Sequence, residues 1–336
     1  MTDLAAAAAA LVGPGKGILA ADESISTMSA RLEAAGVPAS EEARRAYREM
    51  LVTTPGLQAG VGGVILCDET LRQRVASGAT FPAELAARGI QAGIKVDTGA
   101  KPLAGAPGET VTEGLDGLLP RLKEYAALGA TFAKWRAVLR IGPGMPSPVA
   151  VRANAQSLGR YAAACQAAGL VPIVEPEVLM DGAHSMALCQ TVTSLVLLAV
   201  MSELEEYGVA LDGAVLKPNM AVPGKDSGED AAPGEVAAAT LAALASVAPS
   251  MAGIAFLSGG QGPERATANL AAMQSLPHVW PLTFSFGRAL VDPALAAWRG
   301  DPARVADGQR ALARRVAMNV AALSGSYRAE LELDPA

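Results

Sequence analysis

The chain has 336 residues, of which 51% are hydrophobic, 18% charged and only 4% aromatic, so a large core is available and Ala, Val and Leu must build it. Net charge is −6, and no run of Lys or Arg is dense enough to neutralise a phosphate backbone or hold an anionic membrane, so neither nucleic acid nor a membrane is expected as a partner. The three cysteines, Cys67, Cys165 and Cys189, are far apart and form no C-x-x-C pair, which speaks against a disulfide framework or zinc knuckle and for a reducing, cytoplasmic setting.

In chain order, the run Ala5 to Ala10 reads as an Ala-rich first helix, because Asp3 stands where a signal peptide would carry positive charge. Eight short apolar runs of β type follow: GILAADES, GGVILCDE, GIKVD, TFAKWR, VPIVEPE, AVLKPN, GIAFLSGG and PLTFSFGR. Segments with helical periodicity separate most of them, among them Leu118 to Leu128, Val149 to Ala168 and Gly234 to Ala248. Strand followed by helix is therefore the repeating unit, which argues for a parallel sheet. Eight units of roughly 30 to 40 residues fit an eight-stranded (β/α) barrel, the TIM barrel, better than an open doubly wound sheet. Val222 to Gly234 is rich in Gly, Pro and acidic residues and is expected to be a mobile surface loop. No apolar stretch is expected to reach the length of about 20 residues that a membrane span requires. The chain is read as a single domain over residues 1–336, helical after Arg288 and ending in a loose tail from about residue 324.

Several strands end in groups that an apolar barrel would not carry for stability alone. Asp22 closes the first, Lys95 and Asp97 the third, Lys134 and Arg136 the fourth, Glu175 and Glu177 the fifth, and Lys217 the sixth. In such a barrel the C-terminal strand ends build the active site, so these positions are expected to converge on one cavity. The two-residue period of a strand puts Lys134 and Arg136 on one face and Trp135 on the other.

Only seven of the 27 Lys and Arg residues are Lys, yet three of them, Lys95, Lys134 and Lys217, sit inside apolar strand runs. Burying an ammonium is costly unless it is paired or loses its proton. A buried ion pair accounts for any one of the three but not readily for all. A free lysine has a pKa of about 10.4, so at neutral pH fewer than about one in a thousand is an amine able to attack a carbonyl. Lowering that value by about 3 units takes about 4 kcal/mol, and burial beside a second cation supplies it. The chemistry implied is a Schiff base to a ketone or aldehyde; the residues alone leave open which lysine forms it.

Leu257 to Gly262 (LSGGQG) offers consecutive backbone N–H groups, and Phe284 to Arg288 (FSFGR) offers a hydroxyl, a Gly and an Arg. The loops after the seventh and eighth strands are where many such barrels bind phosphate. The two histidines, His184 and His278, are expected in exposed loops and cannot supply a three-His zinc site, so no metal is expected. There is no P-loop and no G-x-S-x-G motif.

GKGILAADES, GGVILCDETL, GIKVDTG, PLAGAPGET, GLDGL, FAKWRAVLRIG, VPIVEPEVLMDG, LKPNM, FLSGGQ and LTFSFGRAL together resemble the blocks of the class I fructose-bisphosphate aldolases, in that family's order, from about Gly15 to Tyr327. The resemblance implies a (β/α)₈ barrel, commonly a homotetramer, that needs no cofactor beyond a lysine Schiff base. It assigns Lys217 as the Schiff-base lysine, Glu175 as the acid/base carboxylate with Glu177 in support, Asp22 as the group that orients substrate hydroxyls, and Lys134 as the neighbouring cation. It gives Ser258, Gly259, Gly260, Ser285, Gly287 and Arg288, with Arg31, to the ketose phosphate, and Ser24, Thr27, Lys95 and Arg136 to the second phosphate. Two departures stand out. Ile25, Ser26 and Thr27 occupy positions where the family usually has Thr-Gly-Ser, and the tail ends in LELDPA without a terminal Tyr. Transaldolase-like or keto-acid lyases would use the same amine on other substrates, and a non-catalytic barrel would need none of this set.

Overall fold

A computed structural model describes residues 3–333. All eight apolar runs form strands: β1 (Gly17–Ala21), β2 (Val61–Leu66), β3 (Gln91–Lys95), β6 (Phe132–Leu139), β7 (Val171–Val178), β8 (Val215–Leu216), β9 (Gly253–Phe256) and β10 (Leu282–Phe286). They pair in parallel and close on themselves in the order β1, β10, β9, β8, β7, β6, β3, β2. The remaining two, β4 (Gly99–Pro102) and β5 (Thr110–Glu113), form an antiparallel hairpin outside the ring that the sequence did not signal.

Two apolar cores follow from the strand period. Leu19, Trp135, Val174, Leu216 and Ile254 point outward into the layer between strands and helices, whereas Ile18, Ala20, Phe132, Ile173, Val215 and Ala255 fill the ring itself. The Ala-rich helix Leu4–Leu11 plugs the N-terminal end of the ring, with Ala8, Leu11 and Val12 joining the inner core. Glycine is required where Phe132 crosses the interior. A Cβ on Gly93 would lie 2.1 Å from its ring, and one on Gly63 would lie 3.0 Å from it. With this layer sealed, the next inward positions along the same strands are Asp22, Lys134, Glu175 and Lys217, so the polar residues sit directly above an apolar floor.

The surrounding helices fall close to their predicted spans, at Leu118–Ala127, Pro148–Ala167 and Pro233–Ala243. The stretch after Arg288 is two helices, Arg288–Trp298 and Val305–Leu323, broken where Arg299 takes a left-handed φ of 53°. Four expectations need correction. The helix Met186–Glu206 has 21 residues and a mean hydropathy of 1.6, long and apolar enough to cross a membrane; it packs instead against its neighbours in the helical shell, burying Val196, Leu197, Val200 and Leu204. The segment Val222–Gly234 is a surface loop, but Gly224, Lys225 and Asp226 donate backbone hydrogen bonds to the carbonyls of His184, Met180 and Gly182, which pin it. His184 is buried rather than exposed, and His278 is half-buried with Nδ1 2.8 Å from the Leu276 carbonyl. As for the tail, it is docked as far as it is described: Glu332 pairs with the buried Arg315 at 2.6 Å and meets the Tyr327 hydroxyl at 3.1 Å. Residues 334–336, the last of LELDPA, lie outside the described residues.

Candidate active site

The C-terminal strand ends open on one cavity of about 820 Å³. Its lining includes every residue the sequence reading assigned except Gly260: Asp22, Ser24, Thr27, Arg31, Lys95, Lys134, Arg136, Glu175, Glu177, Lys217, Ser258, Gly259, Ser285, Gly287 and Arg288. Neither histidine is among the lining residues.

At the floor lie two lysines and two carboxylates, all nearly buried. Lys134 Nζ is 2.7 Å from Asp22 Oδ2 and 3.0 Å from Glu175 Oε2, while Lys217 Nζ is 3.2 Å from Glu175 Oε1. Glu175 therefore bridges the lysines through its two oxygens. Lys217 follows the shortest strand: Pro218 has no N–H to continue the ladder, and the segment is held by Lys217 N–H on the Val174 carbonyl and Leu257 N–H on the Pro218 carbonyl. Asn219 locks the same turn by accepting from Val178 N–H at 2.9 Å.

The charges dictate protonation. Burial alone would raise the pKa of Asp22, but Lys134 and Lys217 outweigh it and hold the carboxyl down to about 2. Glu175 is likewise held below its ordinary value, burial being overcome by the same lysines and Arg136. For Lys134, burial opposes its charge, yet Asp22 and Glu175 prevail and push its pKa above the ordinary lysine value. Lys134 is thus a fixed cation, and Lys217 shares its single carboxylate with it.

The two ends of the cavity differ. At one end Ser258 and Gly259 (φ 57°) lead toward the helix Pro263–Gln274, and Gly287 and Arg288 open the helix Arg288–Trp298. Ser285 Oγ is buried here with no hydrogen-bond partner, and Arg288 is exposed and makes no ion pair among the described residues. Gly260 (φ 85°) lies behind this loop, off the cavity; a Cβ there would come within 3.4 Å of Arg288 Nη2 and 3.5 Å of Lys225 Nζ. Arg31 stands apart from these groups in its partners, pairing with Glu23 and, at 2.6 Å, with Asp292.

At the other end Ser24 caps the helix Ile25–Ala34, accepting from Thr27 N–H at 3.2 Å. Lys95 pairs with Asp97, and Arg136 Nε with Glu177 Oε2 at 2.5 Å. Asp97, expected at the cavity but given no role there, organises this end: its carboxylate also accepts from Gly99 N–H at 3.1 Å and Arg136 N–H at 3.2 Å. The hairpin completes it, with Thr98, Gly99 and Ala100 on the lining and Thr112 Oγ1 donating to the Arg136 carbonyl at 2.8 Å. Glu23 and Asp292 were also missed, because nothing local in the sequence ties either one to Arg31.

A buried lysine joined through one carboxylate to a second lysine, between two ends rich in phosphate-type donors, can form a Schiff base with a phosphorylated ketone. The family model of fructose-bisphosphate aldolase class-I matches residues 3–335. The chain belongs to that family. It is similar to a probable fructose-bisphosphate aldolase class 1 of Xanthomonas campestris pv. campestris (49% identical; 97% of this chain, 98% of the relative). It is also similar to the cytosolic fructose-bisphosphate aldolase 4 of Arabidopsis thaliana (48% identical; 98% of this chain, 85% of the relative). Among solved structures, the fructose-bisphosphate aldolase of Plasmodium falciparum, in complex with TRAP and a small-molecule inhibitor, superposes with a TM-score of 0.95 at 43% identity, covering 97% of this chain and 95% of that one. The eight-stranded (β/α) barrel expected from the strand count is thus the fold found.

Proposed function

We propose that Lys217 is the amine through which this aldolase works. The reaction is the reversible cleavage of fructose 1,6-bisphosphate to dihydroxyacetone phosphate and glyceraldehyde 3-phosphate, a step of glycolysis and gluconeogenesis. The observation that carries the assignment is the shared carboxylate: Glu175 lies 3.2 Å from Lys217 and 3.0 Å from Lys134, so it can take a proton from the first while the second keeps its own.

The freed amine of Lys217 adds to the C2 ketone, and Glu175 returns the proton to the carbinolamine oxygen, which leaves as water. In the resulting iminium the nitrogen draws electrons. A base removes the C4 hydroxyl proton, the C3–C4 bond breaks, and its electron pair enters the iminium to give an enamine as glyceraldehyde 3-phosphate departs. Protonation at C3 and addition of water then release dihydroxyacetone phosphate and restore the lysine. Asp22 orients the hydroxyls at the scissile bond. Lys134 holds Asp22 ionised and favours the ionised form of Glu175 between its proton transfers, and Glu177 supports through its pair with Arg136. Ser258, Gly259, Ser285, Gly287 and Arg288 receive the ketose phosphate, Gly260 shaping that loop from behind. Lys95, Arg136, Ser24 and Thr27 receive the other phosphate, and Arg31 joins the first group by exchanging its carboxylate partners.

No metal enters this scheme. Borohydride added with dihydroxyacetone phosphate is expected to fix one label on Lys217 by peptide mass, with activity unchanged by EDTA; label elsewhere, or inactivation by chelation, overturns the assignment. A cytoplasmic setting is supported by the buried cysteines and the cytosolic relative. A homotetramer is supported by the family and by exposed Leu188, Leu195 and Leu198 on the helix Met186–Glu206, and light scattering of the purified chain tests it.

A further inference from the structure

Arg48, on the helix Glu41–Val52, is fully buried, although a guanidinium cannot shed its charge and is expensive to desolvate. Its Nε donates to the Ala21 carbonyl and its Nη2 to the Glu23 carbonyl, each at 2.8 Å. These are the carbonyls on either side of Asp22. Nη2 also reaches Glu23 Oε2 at 3.3 Å, and Nη1 is left buried without a partner. An apolar side chain would take this donor away from both carbonyls, and the arginine answers them at the cost of one orphaned N–H, so what the residue serves is the placing of these two carbonyls. Its rigid fork sets the directions of two donors at once, so it fixes the backbone between two carbonyls two residues apart more tightly than an ammonium on a flexible stem.

We propose that Arg48 is a positioning residue that sets Asp22 from outside the barrel. β1 ends at Ala21, so past that point the ladder no longer fixes the chain, and the fork takes over where the carboxylate must meet Lys134 at 2.7 Å. Through the Glu23 carboxylate the same guanidinium backs Arg31. The inference rests on the role given above to Asp22 at the scissile bond.

The test is kinetic. A loss of register of about 1 Å at a reacting centre can cost about 10²-fold. R48K keeps the charge but not the fork, and is expected to lower kcat for fructose 1,6-bisphosphate by about 10- to 100-fold while borohydride still traps dihydroxyacetone phosphate on Lys217 in full. R48K made in a D22N background is expected to lower kcat no further. Wild-type kcat in folded R48K, equal loss of trapping and cleavage, or full additivity with D22N overturns the proposal. Should R48K fail to fold, E23Q decides: the carbonyl bonds remain, so kcat should hold while KM falls as Arg31 is freed for phosphate, and a collapse of kcat overturns the proposal. Wild-type kcat in D22N would instead break the reading of Asp22 itself, and the assignment of Arg48 with it.

Discussion

The two ends of the cavity, proposed to take the same kind of group, are oppositely prepared for it. Around Ser258, Ser285 and Arg288 the donors are unengaged: a buried hydroxyl has no partner and the arginine makes no ion pair among the described residues. Around Lys95 and Arg136 each cation already holds a carboxylate, Asp97 and Glu177 respectively. A phosphate arriving at Ser258, Ser285 and Arg288 gains hydrogen bonds without breaking an ion pair, and at this end only Arg31 must exchange carboxylates to join them. At the second it must compete with a carboxylate, so much of the gross attraction is spent on exchange. The preorganised end should anchor the substrate and the guarded end should select it.

Between them stands Glu175, on which both ends depend, and the largest effect is expected there. E175Q removes the proton carrier while keeping the shape, and general acid–base groups contribute about 10²- to 10⁴-fold. A loss of that size in kcat, with phosphate binding retained in a calorimetric titration of dihydroxyacetone phosphate, separates chemistry from anchoring; wild-type turnover would dissolve the division. Next in size is R288A. Hydrogen bonds to charged groups are worth about 1.5 to 3 kcal/mol, so kcat/KM should fall about 10- to 150-fold, for fructose 1-phosphate as much as for the bisphosphate. A loss confined to the bisphosphate would reverse the roles of the two ends.

How much of this was legible in the sequence follows the same division. The eight strands and the floor residues could be read because a two-residue period and a polar residue ending an apolar run are local signals, and Asp22, Lys134, Glu175 and Lys217 carry both. The guarded end was only half legible. Lys95 and Arg136 could be named, but Asp97 as their organiser could not, because its bonds to Gly99 and Arg136 depend on an exposed four-residue hairpin strand with no apolar pattern. Asp292 meets Arg31 across 261 positions of sequence, and the buried grip of Arg48 on β1 was hidden for the same reason. The tail looked loose because its composition is polar, and only the pairing of Glu332 with Arg315 explains why it docks.

The floor should also be visible in stability against pH. Asp22 has a pKa of about 2 in the folded chain against an ordinary 3.8. A depressed carboxylate stabilises the fold fully above its unfolded value, and that contribution disappears as pH falls from about 3.8 toward 2. Its size is about 2 kcal/mol. Denaturant midpoints measured from pH 6 down to pH 2 should therefore fall more steeply for the wild type than for D22N, the two converging at the acid end. Parallel curves would mean that the carboxylate is not held as the geometry implies.

The smallest effect is expected where the argument about guarding is most exposed. R136A removes a cation from the second phosphate but also leaves Glu177, itself nearly buried, without its partner. If phosphate and Glu177 compete for Arg136, the net contribution to binding is about 0.5 to 1 kcal/mol, the difference between two similar bonds rather than the whole of either. KM for fructose 1,6-bisphosphate should then rise only about two- to fivefold, with fructose 1-phosphate unaffected. The sharper reading comes from E177Q, which frees the arginine while keeping a hydrogen-bonding side chain. It should lower KM for the bisphosphate and widen its preference over fructose 1-phosphate, as unguarding predicts. A raised KM would show that Glu177 aims Arg136 rather than restraining it, and the second end would then be as prepared as the first.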